Sequence, residues 1–188
     1  MKFFKHELSE VLSDKIGVGT RIWQYVVVSK GSSIGENCNI CSHCFIEENV
    51  KIGNNVTIKS GVYLWSGIVI KDNVFIGPNV VFTNDIYPRS KMFKTPQEIV
   101  IEQGVSLGAN STILGGVIIG KYAMTGMGSV VTSNLKSHGL YYGNPAKFKC
   151  WIDESGEKLI FDKDSKLWIN TKKCFFEETS SGLKKVKK

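Results

Sequence analysis

Residues 46–64 read I-E-E-N-V-K-I-G-N-N-V-T-I-K-S-G-V-Y-L, and every sixth residue of this stretch is aliphatic. The same column runs in both directions without exception, through Ile16, Ile22, Val28, Ile34, Ile40, Ile46, Ile52, Ile58, Leu64, Ile70, Ile76 and Phe82. It stops at Thr83 and resumes with Ile101, Leu107, Ile113 and Ile119. A period of six excludes an α-helix, because successive core residues would lie on different sides of it. A fixed short period indicates a solenoid, and a hexapeptide period predicts a parallel β-helix.

A second column, at the fifth position of each repeat, consists of small or β-branched residues: Thr20, Val26, Ser32, Cys38, Cys44, Val50, Val56, Val62, Ile68, Val74 and Val80. With polar residues between the columns, this pattern predicts short strands joined by corners. Gly17, Gly35 and Gly53 recur every eighteen residues, where glycine tolerates the backbone angles of a corner. Three repeats then make one coil of a triangular prism. The repeats predict about six coils, roughly 29 Å at the ~4.8 Å spacing of stacked strands.

The composition indicates one main folded domain, because 188 residues with 42% hydrophobic side chains can bury a sizeable core. The first residues contain no apolar run typical of a signal peptide, and no stretch approaches a membrane span. We therefore expect a cytoplasmic protein without membrane insertion. The net charge is +7, and lysines are concentrated in residues 183–188. We expect a disordered basic tail there and no nucleic-acid binding, because no aromatic residue lies among these lysines.

The repeat is interrupted between Phe82 and Ile101, which lie nineteen residues apart rather than six. Loops longer than about 12–15 residues are uncommon in compact domains unless they are functional or disordered. This insert contains Tyr87, Phe93 and two prolines, which favours an ordered flap. We predict a β-helix over residues 1–150 with an extruded loop at 83–100, and we place the candidate site at that loop.

Several stretches also carry a family resemblance: Thr20–Trp23, Ile46–Val50, Ile76–Asn79, Phe82–Asp85, Tyr87–Ser90 and Tyr142–Lys147. In this order, over about residues 15–150, they resemble the sugar-nucleotide N-acetyltransferases of bacterial surface-glycan (O-antigen and S-layer) biosynthesis. Leu64–Trp65 and Asn84–Asp85 are most similar to the enzymes that use acetyl-CoA to acetylate the 3-amino group of a dTDP-linked 3-amino-3,6-dideoxyhexose. Enzymes acting on UDP-linked amino sugars are the nearest alternative. The resemblance implies an all-β, left-handed parallel β-helix and a homotrimer with active sites between subunits.

The insert lacks the histidine that better-known hexapeptide acetyltransferases use as general base, since histidine occurs only at His6, His43 and His138. We hypothesise that Asn84 and Asp85 bind and orient the amine, and that the departing coenzyme A thiolate collects the proton. The alternative is that both residues only cap the loop through Asx turns. His43, expected to point outward, is a candidate donor or base across a subunit boundary, or an exposed side chain without a role.

The candidate substrate-binding residues are Glu47, Tyr63, Trp65, Tyr87 and Arg89. Tyr63 and Trp65 can stack on thymine or sugar, or pack in a trimer, and Arg89 can pair with a diphosphate. The resemblance assigns acetyl-CoA to small residues of the late coils and closing loop: Ala109, Asn110, Gly126, Gly128, Ser129, Asn144, Pro145 and Lys147. A corner accounts for Gly126 without a ligand, whereas Gly128 falls outside the glycine corner position and is the better indicator of a cofactor.

Two interpretations of the cysteines as a metal site fail. Cys38 and Cys44 fall at inward fifth positions and Cys41 at a corner, so the three sulfurs of this C-x2-C-x2-C run point apart. Residues 150–174 resemble the zinc-ribbon tail of some relatives but keep only Cys150 and Cys174, too few for a closed zinc site. We predict a metal-free appendage of two or three β-strands over residues 151–182, with strands that flank a turn at residues 162–165.

Two other functions are weaker alternatives. A non-catalytic trimeric β-helix scaffold would need neither the insert motifs nor the Tyr142–Lys147 segment. Acyl transfer to a hydroxyl group would favour a histidine base in the loop, which contains none.

Overall fold

The chain folds into short β-strands, and a computed structural model describes residues 3–187. The strands of this range are, in chain order, β1 (Phe4–Lys5), β2 (Glu10–Val11), β3 (Arg21–Ile22), β4 (Val27–Val28), β5 (Ser33–Ile34), β6 (Asn39–Ile40), β7 (Phe45–Ile46), β8 (Lys51–Ile52), β9 (Thr57–Ile58), β10 (Tyr63–Leu64), β11 (Ile68–Ile70), β12 (Phe75–Ile76), β13 (Val81–Phe82), β14 (Ile99–Ile101), β15 (Ser106–Leu107), β16 (Thr112–Ile113), β17 (Ile118–Ile119), β18 (Met124–Thr125), β19 (Val130–Val131), β20 (Gly139–Tyr142), β21 (Lys147–Trp151), β22 (Ile160–Asp162), β23 (Leu167–Ile169), β24 (Phe175–Thr179) and β25 (Gly182–Val186).

The strands stack into three faces of a parallel β-helix. Face A contains β1, β3, β6, β9, β12, β15, β18 and β20; face B contains β2, β4, β7, β10, β13, β16 and β19; and face C contains β5, β8, β11, β14 and β17. The chain passes from face A to face B to face C and back, and neighbouring strands within each of these faces are parallel. We name each corner by the faces that it joins: A/B, B/C and C/A.

The described part of the prism has about eight coils rather than the expected six, because eight parallel strands lie on face A. The first coil escapes the sequence pattern because Lys5 pairs with Ile22, seventeen positions later, where the regular coils step by eighteen. The last coil escapes it because Thr125 pairs with Tyr141, only sixteen positions later. A strict period of six therefore detects the middle of the prism and misses both ends.

The two predicted columns form the core, which confirms their inward direction. All first-position residues from Ile22 to Phe82 and all fifth-position residues from Thr20 to Val80 are buried. Ile16, in the first part of the column, is only half-buried. The core is therefore a single apolar stack along the prism axis.

The glycines at the C/A corner are required for a different reason from the expected one. An added Cβ on Gly35 would lie 2.5 Å from the carbonyl oxygen of Gly53 in the next coil, so the stacked corners leave no space for a side chain. The left-handed backbone conformation is found instead at the fourth position of the repeat. Asn37 and Asn55 adopt it there, with φ of 54° and 56°.

The insert leaves the prism after face B and returns on face C. Ile70 pairs with Ile101, 31 positions later, whereas Ile52 pairs with Ile70 after the regular eighteen. The insert thus adds thirteen residues to one coil, and the strands of face C pair across it in regular register.

The C-terminal appendage is an antiparallel sheet of four strands, β22, β23, β24 and β25, rather than the predicted two or three. The predicted hairpin is present, since β22 pairs antiparallel with β23. Trp151, Leu159, Phe176 and Leu183 form a small apolar core of its own.

The prediction of a disordered tail at residues 183–188 is wrong for the described residues, because residues 182–186 form β25 and pair with β24. Leu183 is buried in the small core, and Lys185 Nζ lies 2.7 Å from Glu154 Oε2. The prediction of disorder rested on the lysines and overlooked Leu183, whose burial anchors the strand. Lys188 lies outside the described residues.

A buried carboxylate holds the turns of the appendage together. Asp153 accepts hydrogen bonds from the backbone N–H groups of Ser155 (2.8 Å) and Glu157 (2.9 Å) and from Asn170 Nδ2 (2.8 Å). Burial alone would raise the pKa of Asp153, but the hydrogen bonds from Asn170, Ser155 and Glu157 lower it to about 2.

The appendage docks on the last coil beside His138. The backbone N–H of Leu183 donates to Ser137 O at 3.1 Å, and the His138 ring lies 5.3 Å from that of Phe176. Burial lowers the pKa of His138. None of residues 3–187 forms a helix with the length and apolar character that crossing a membrane requires.

Candidate active site

The insert folds back over the B/C corner and encloses a groove of about 890 Å³. The groove brings together five of the predicted site residues: Glu47, Trp65, Asn84, Asp85 and Arg89. Its other lining residues are Glu48, Ser66, Pro88, Ser90, Met92, Phe93, Lys94 and Pro96. The interruption of the repeat therefore coincides with a concave, mixed polar and apolar site, the kind of surface that binds small molecules.

Asn84 and Asp85 lie at the base of the insert, and both are half-buried. Asp85 Oδ1 accepts a hydrogen bond from the backbone N–H of Tyr87 at 2.8 Å. This bond forms the Asx turn that was predicted as the alternative to amine binding. Among the described residues, Asp85 Oδ2 accepts no hydrogen bond. One oxygen thus shapes the loop, while the other is available to a ligand.

Glu47 and Trp65 form the wall contributed by the two preceding coils. Glu47 Oε2 accepts a hydrogen bond from the backbone N–H of Ser66 at 2.7 Å, which orients the carboxylate along the corner. Trp65 Nε1 donates to the carbonyl of Phe82 at 2.8 Å, so its ring is held at the edge of the groove. Neither side chain depends on the insert for its position.

The groove carries charges of both signs. Glu47, Glu48 and Asp85 are acidic, while Arg89 and Lys94 on the insert are basic. Arg89 Nη1 donates to the Pro88 carbonyl at 3.0 Å and leaves its other N–H groups for a ligand. A ligand with an amine and an anionic group would match this distribution.

Tyr87 does not line the groove, contrary to the predicted substrate-binding role. Its side chain is 71% exposed on the outside of the insert. Lys94 Nζ lies 5.6 Å from the centre of its ring. The Asx turn at Asp85 bonds the Tyr87 backbone, while the ring remains outside the groove.

His43 and Tyr63 line a separate hollow of about 350 Å³, together with Tyr25, Val27, Cys44, Phe45 and Trp65. Trp65 borders both cavities. The His43 ring stacks on Tyr25, with centroids 4.9 Å apart and planes 20° from parallel. His43 therefore lies at the A/B corner and is not brought to Asn84 within one chain.

The residues expected to bind acetyl-CoA lie at the late A/B corners. The backbone N–H of Gly128 donates to Ala109 O at 2.8 Å, and the N–H of Asn110 donates to Pro78 O at 3.0 Å, so these corners stack. The closing loop follows, since the N–H of Ala146 donates to Val130 O at 2.8 Å. Of the expected residues, Asn110, Gly128, Asn144, Pro145 and Lys147 are exposed, and Ala109 and Gly126 are half-buried.

The structure adds detail on two of these residues. Ser129 is fully buried and its hydroxyl donates to Gly126 O, so its side chain does not face a cofactor. Gly128 is a corner residue after all, because it occupies the left-handed fourth position with φ of 67°. The positive φ favours glycine at this position. A side chain would meet no steric obstacle, because no atom lies within 4 Å of the place a Cβ would take.

The cysteine directions are confirmed. Cys38 and Cys44 are buried, whereas Cys41 is half-buried at a corner. Burial raises the pKa of Cys38, and it raises that of Cys44 to about 11. Both buried thiols hydrogen-bond to backbone carbonyls of the next coil, Cys38 to Gly53 and Cys44 to Lys59.

Sequence reasoning missed Glu48 and Ser66 as lining residues. A signal was present, since Glu48, Ser66 and Asn84 are eighteen residues apart and occupy the same third position of their repeats. Residues one coil apart stack at the same corner, so the position of Asn84 identifies its two neighbours. Met92, Phe93 and Lys94 lie on the insert, where no repeat constrains them.

Comparisons with known proteins agree with this architecture. The family model "Bacterial transferase hexapeptide (six repeats)" matches residues 49–84 and 98–133, on either side of the insert. The dTDP-3-amino-3,6-dideoxy-alpha-D-galactopyranose 3-N-acetyltransferase of Aneurinibacillus thermoaerophilus is 53% identical over 161 residues, 84% of this chain and 83% of that protein.

Two crystal structures are also similar. A hexapeptide-repeat acetyltransferase of Vibrio cholerae, complexed with acetyl-CoA, is 26% identical with a TM-score of 0.53, over 72% of each chain. AntD, an N-acyltransferase of Bacillus cereus in complex with dTDP and coenzyme A, is 17% identical with a TM-score of 0.51, over 82% of this chain and 78% of its own. At that identity AntD shows the shared fold.

The hexapeptide repeats that build this parallel β-helix are those of the bacterial transferase hexapeptide family. This chain belongs to the hexapeptide-repeat acetyltransferases.

Proposed function

We propose that this protein transfers the acetyl group of acetyl-CoA to the 3-amino group of a dTDP-linked 3-amino-3,6-dideoxyhexose. The observation that carries the proposal is the 53% identity to a dTDP-amino-sugar 3-N-acetyltransferase, which extends over 84% of this chain. Such a product suits the biosynthesis of a bacterial surface glycan, and we place the enzyme in the cytoplasm.

The groove can hold and orient an amino sugar. Asp85 Oδ2 can accept a hydrogen bond from the amine, and Asn84 lies beside it at the base of the insert. Glu47 adds a second carboxylate that is fixed by Ser66. Arg89 and Lys94 supply positive charge for the diphosphate.

Acetyl transfer then requires a neutral amine held against the thioester carbonyl. The nitrogen lone pair forms the new C–N bond, the C–S bond breaks, and coenzyme A leaves as a thiolate. The proton lost by nitrogen passes to that thiolate, so the step needs no histidine base in the groove. Asp85 contributes by orienting the N–H and stabilising the positive charge that develops on nitrogen.

Acetyl-CoA suits the late A/B corners. Gly128 leaves open space beside the backbone, and Ala109 and Asn110 stack next to it. Small residues of this kind let an extended pantetheine arm approach the chain closely. These residues bind and orient the cosubstrate, while the amine is held by Asn84 and Asp85 in the groove at the B/C corner.

The two parts of the site lie on different edges of the prism, which supports a homotrimer with active sites between subunits. Asn84 follows β13 at a B/C corner, whereas Ala109 follows β15 at an A/B corner. A neighbouring copy related by rotation about an axis parallel to the prism would bring its A/B corner to this groove. The His43 of that copy would be level with Glu47, about 10 Å along the axis from Asn84 at ~4.8 Å a coil.

The main alternative is an N-acetyltransferase for a UDP-linked amino sugar, which the same charges would accommodate. A non-catalytic scaffold is disfavoured by the acetyltransferase family of the chain. The experiment is to follow thiol release from acetyl-CoA with a panel of dTDP- and UDP-linked amino sugars. Preference for a dTDP-linked 3-amino sugar supports the proposal, and release with none of them, where the Aneurinibacillus enzyme is active, contradicts it.

A further inference from the structure

The two ends of the insert meet at a neck, which we define as Thr83, Asn84 and Gln97. The backbone N–H of Gln97 donates to the carbonyl of Asn84 at 2.9 Å. This bond joins the outgoing and returning chain directly at the residues proposed to bind the amine. The backbone at the neck therefore sets where the Asn84 and Asp85 side chains point.

A side chain ties the neck to the following coil. The backbone N–H of Gly115 donates to Thr83 Oγ1 at 3.1 Å, and the N–H of Thr83 donates to Ile113 O at 3.0 Å. The second bond belongs to the regular backbone ladder of face B. The first depends on the Thr83 hydroxyl and is specific to this corner.

The preceding coil supplies another tie. Pairing of β10 with β13 ends at Tyr63 and Val81, two residues before the insert begins. At that point the indole Nε1 of Trp65 donates to the Phe82 carbonyl at 2.8 Å. At Phe82, a hydrogen bond from the Trp65 side chain therefore stands in place of the backbone pairing between β10 and β13.

Gly115 also provides the space that the neck occupies. It is the one glycine at the third position of any repeat from Ile16 to Val131, and it stacks one coil after Asn84. A Cβ at this residue would lie 3.0 Å from Thr83 O and 3.4 Å from the carbonyl carbon of Asn84. A side chain here would therefore press on the neck.

We propose that Thr83 and Gly115 are positioning residues that clamp the neck and so set the direction of Asn84 and Asp85 in the groove. They act through the backbone of the amine-binding residues and do not themselves contact the reacting atoms. The effect on turnover rests on the proposed function, whereas the effect on the insert does not. The two can therefore be measured separately.

The test compares Thr83→Val, which removes the hydroxyl, with Thr83→Ser, which keeps it, and adds Gly115→Ala. Lys30→Ala, at the third position of an earlier B/C corner, is the matched control. Amide hydrogen exchange of residues 83–98 reports the neck, and steady-state kinetics report catalysis. We expect Thr83→Val and Gly115→Ala to speed exchange and to lower kcat about 10- to 100-fold, because small displacements of reacting groups have effects of this size.

The KM for acetyl-CoA should stay within about 2-fold, since the A/B corner residues proposed to bind it do not contact the neck. Thr83→Ser and Lys30→Ala should resemble the wild type. Unchanged exchange in both Thr83→Val and Gly115→Ala overturns the clamp. Faster exchange with unchanged kcat overturns its positioning role. A wild-type protein inactive on every amino sugar contradicts only the proposed function, and exchange at the neck then decides the clamp.

Discussion

Asp85 can both shape the loop and contact a ligand, two roles that the sequence left as alternatives. Its Oδ1 caps the turn at Tyr87, as the structural interpretation required, while Oδ2 remains available in the groove. An Asx turn and a ligand contact therefore do not exclude one another, because a carboxylate has two oxygens.

This division can be tested with Asp85→Asn, which keeps an oxygen for the turn and removes the charge. We expect kcat to fall about 100-fold, the usual scale for a lost proton-handling or charge-stabilising group, with the thermal midpoint nearly unchanged. Thiol release from acetyl-CoA measures the first and differential scanning calorimetry the second. Asp14→Asn, an exposed acid near the start of the prism, is the control, and equal turnover in both variants would exclude Asp85 from the site.

The three cysteines at positions 38, 41 and 44 offer a test of which side chains point into the core. Because burial raises the pKa of Cys44 to about 11, only about one thiol in a thousand is ionised at pH 8. We expect iodoacetamide to modify the half-buried Cys41 well before Cys38 or Cys44, as read by peptide mass spectrometry. Similar rates for all three in the native protein would contradict the inward placement, and denatured protein gives the reference rates.

Positions within the repeat were predictable at the residue scale, and positions on the insert were not. The third-position residues Glu48, Ser66 and Asn84 share a corner by arithmetic alone. Tyr87 and Phe93 have no such constraint, and one lies outside the groove while the other lines it. His43 was correctly given an exposed position, and its proposed catalytic role would require a neighbouring copy.

At the scale of elements, the insert is separable from the prism. Its ends are joined at Asn84 and Gln97, so the loop between them can be shortened without pulling on the coils. We expect a variant with residues 86–95 replaced by Gly-Ser-Gly to keep its β circular dichroism and to lose activity at least about 100-fold. Cooperative unfolding well below the wild-type temperature would show instead that the insert is part of the fold.

The appendage should be sensitive to acid through Asp153. Its pKa of about 2 in the folded protein lies below the value of 3.8 for the free group, so the unfolded chain binds the proton first. The stabilisation, about 2 kcal/mol, is complete above pH ~4 and is lost as the pH falls towards 2. Fluorescence of Trp151 and Trp168 should report this loss.

Asp153→Asn is the control for that titration, since it removes the ionisable group and leaves a side chain of similar size. We expect the variant to be less stable at pH 7 and to lose less on acidification between pH 4 and pH 2. Equal acid dependence of variant and wild type would assign the effect to other carboxylates.

The elements that sequence predicted best are those with a strict period. The regular coils follow from the two columns, whereas the first and last coils depart from the step of eighteen and were overlooked. The tail was misjudged for a related reason. Composition counts lysines, but strand formation depends on alternation and on the single buried Leu183.

For the whole molecule, the separation of the two corners makes a quantitative prediction about assembly. Asp85→Asn disables the B/C side of a site and Ala109→Trp blocks the A/B side, so each homotrimer should be inactive. Refolding them together in equal amounts should restore about one quarter of wild-type activity, because random mixing in a ring pairs two intact sides in that fraction of interfaces.

The controls are each variant refolded alone and the two mixed without refolding. Size-exclusion chromatography with light scattering establishes that trimers have formed. Activity that never exceeds that of the separate variants would place both sides of the site in one chain.

The insert has one more consequence, because it interrupts the chain without interrupting the ladder of face C. Ile70 still faces Ile101, and the coils before and after the insert meet as if the extra thirteen residues were absent. We therefore expect mutations in the insert to have little effect on the free energy of unfolding. Substrate preference can consequently drift during evolution, or be exchanged by grafting one loop for another, while the same prism persists unaltered.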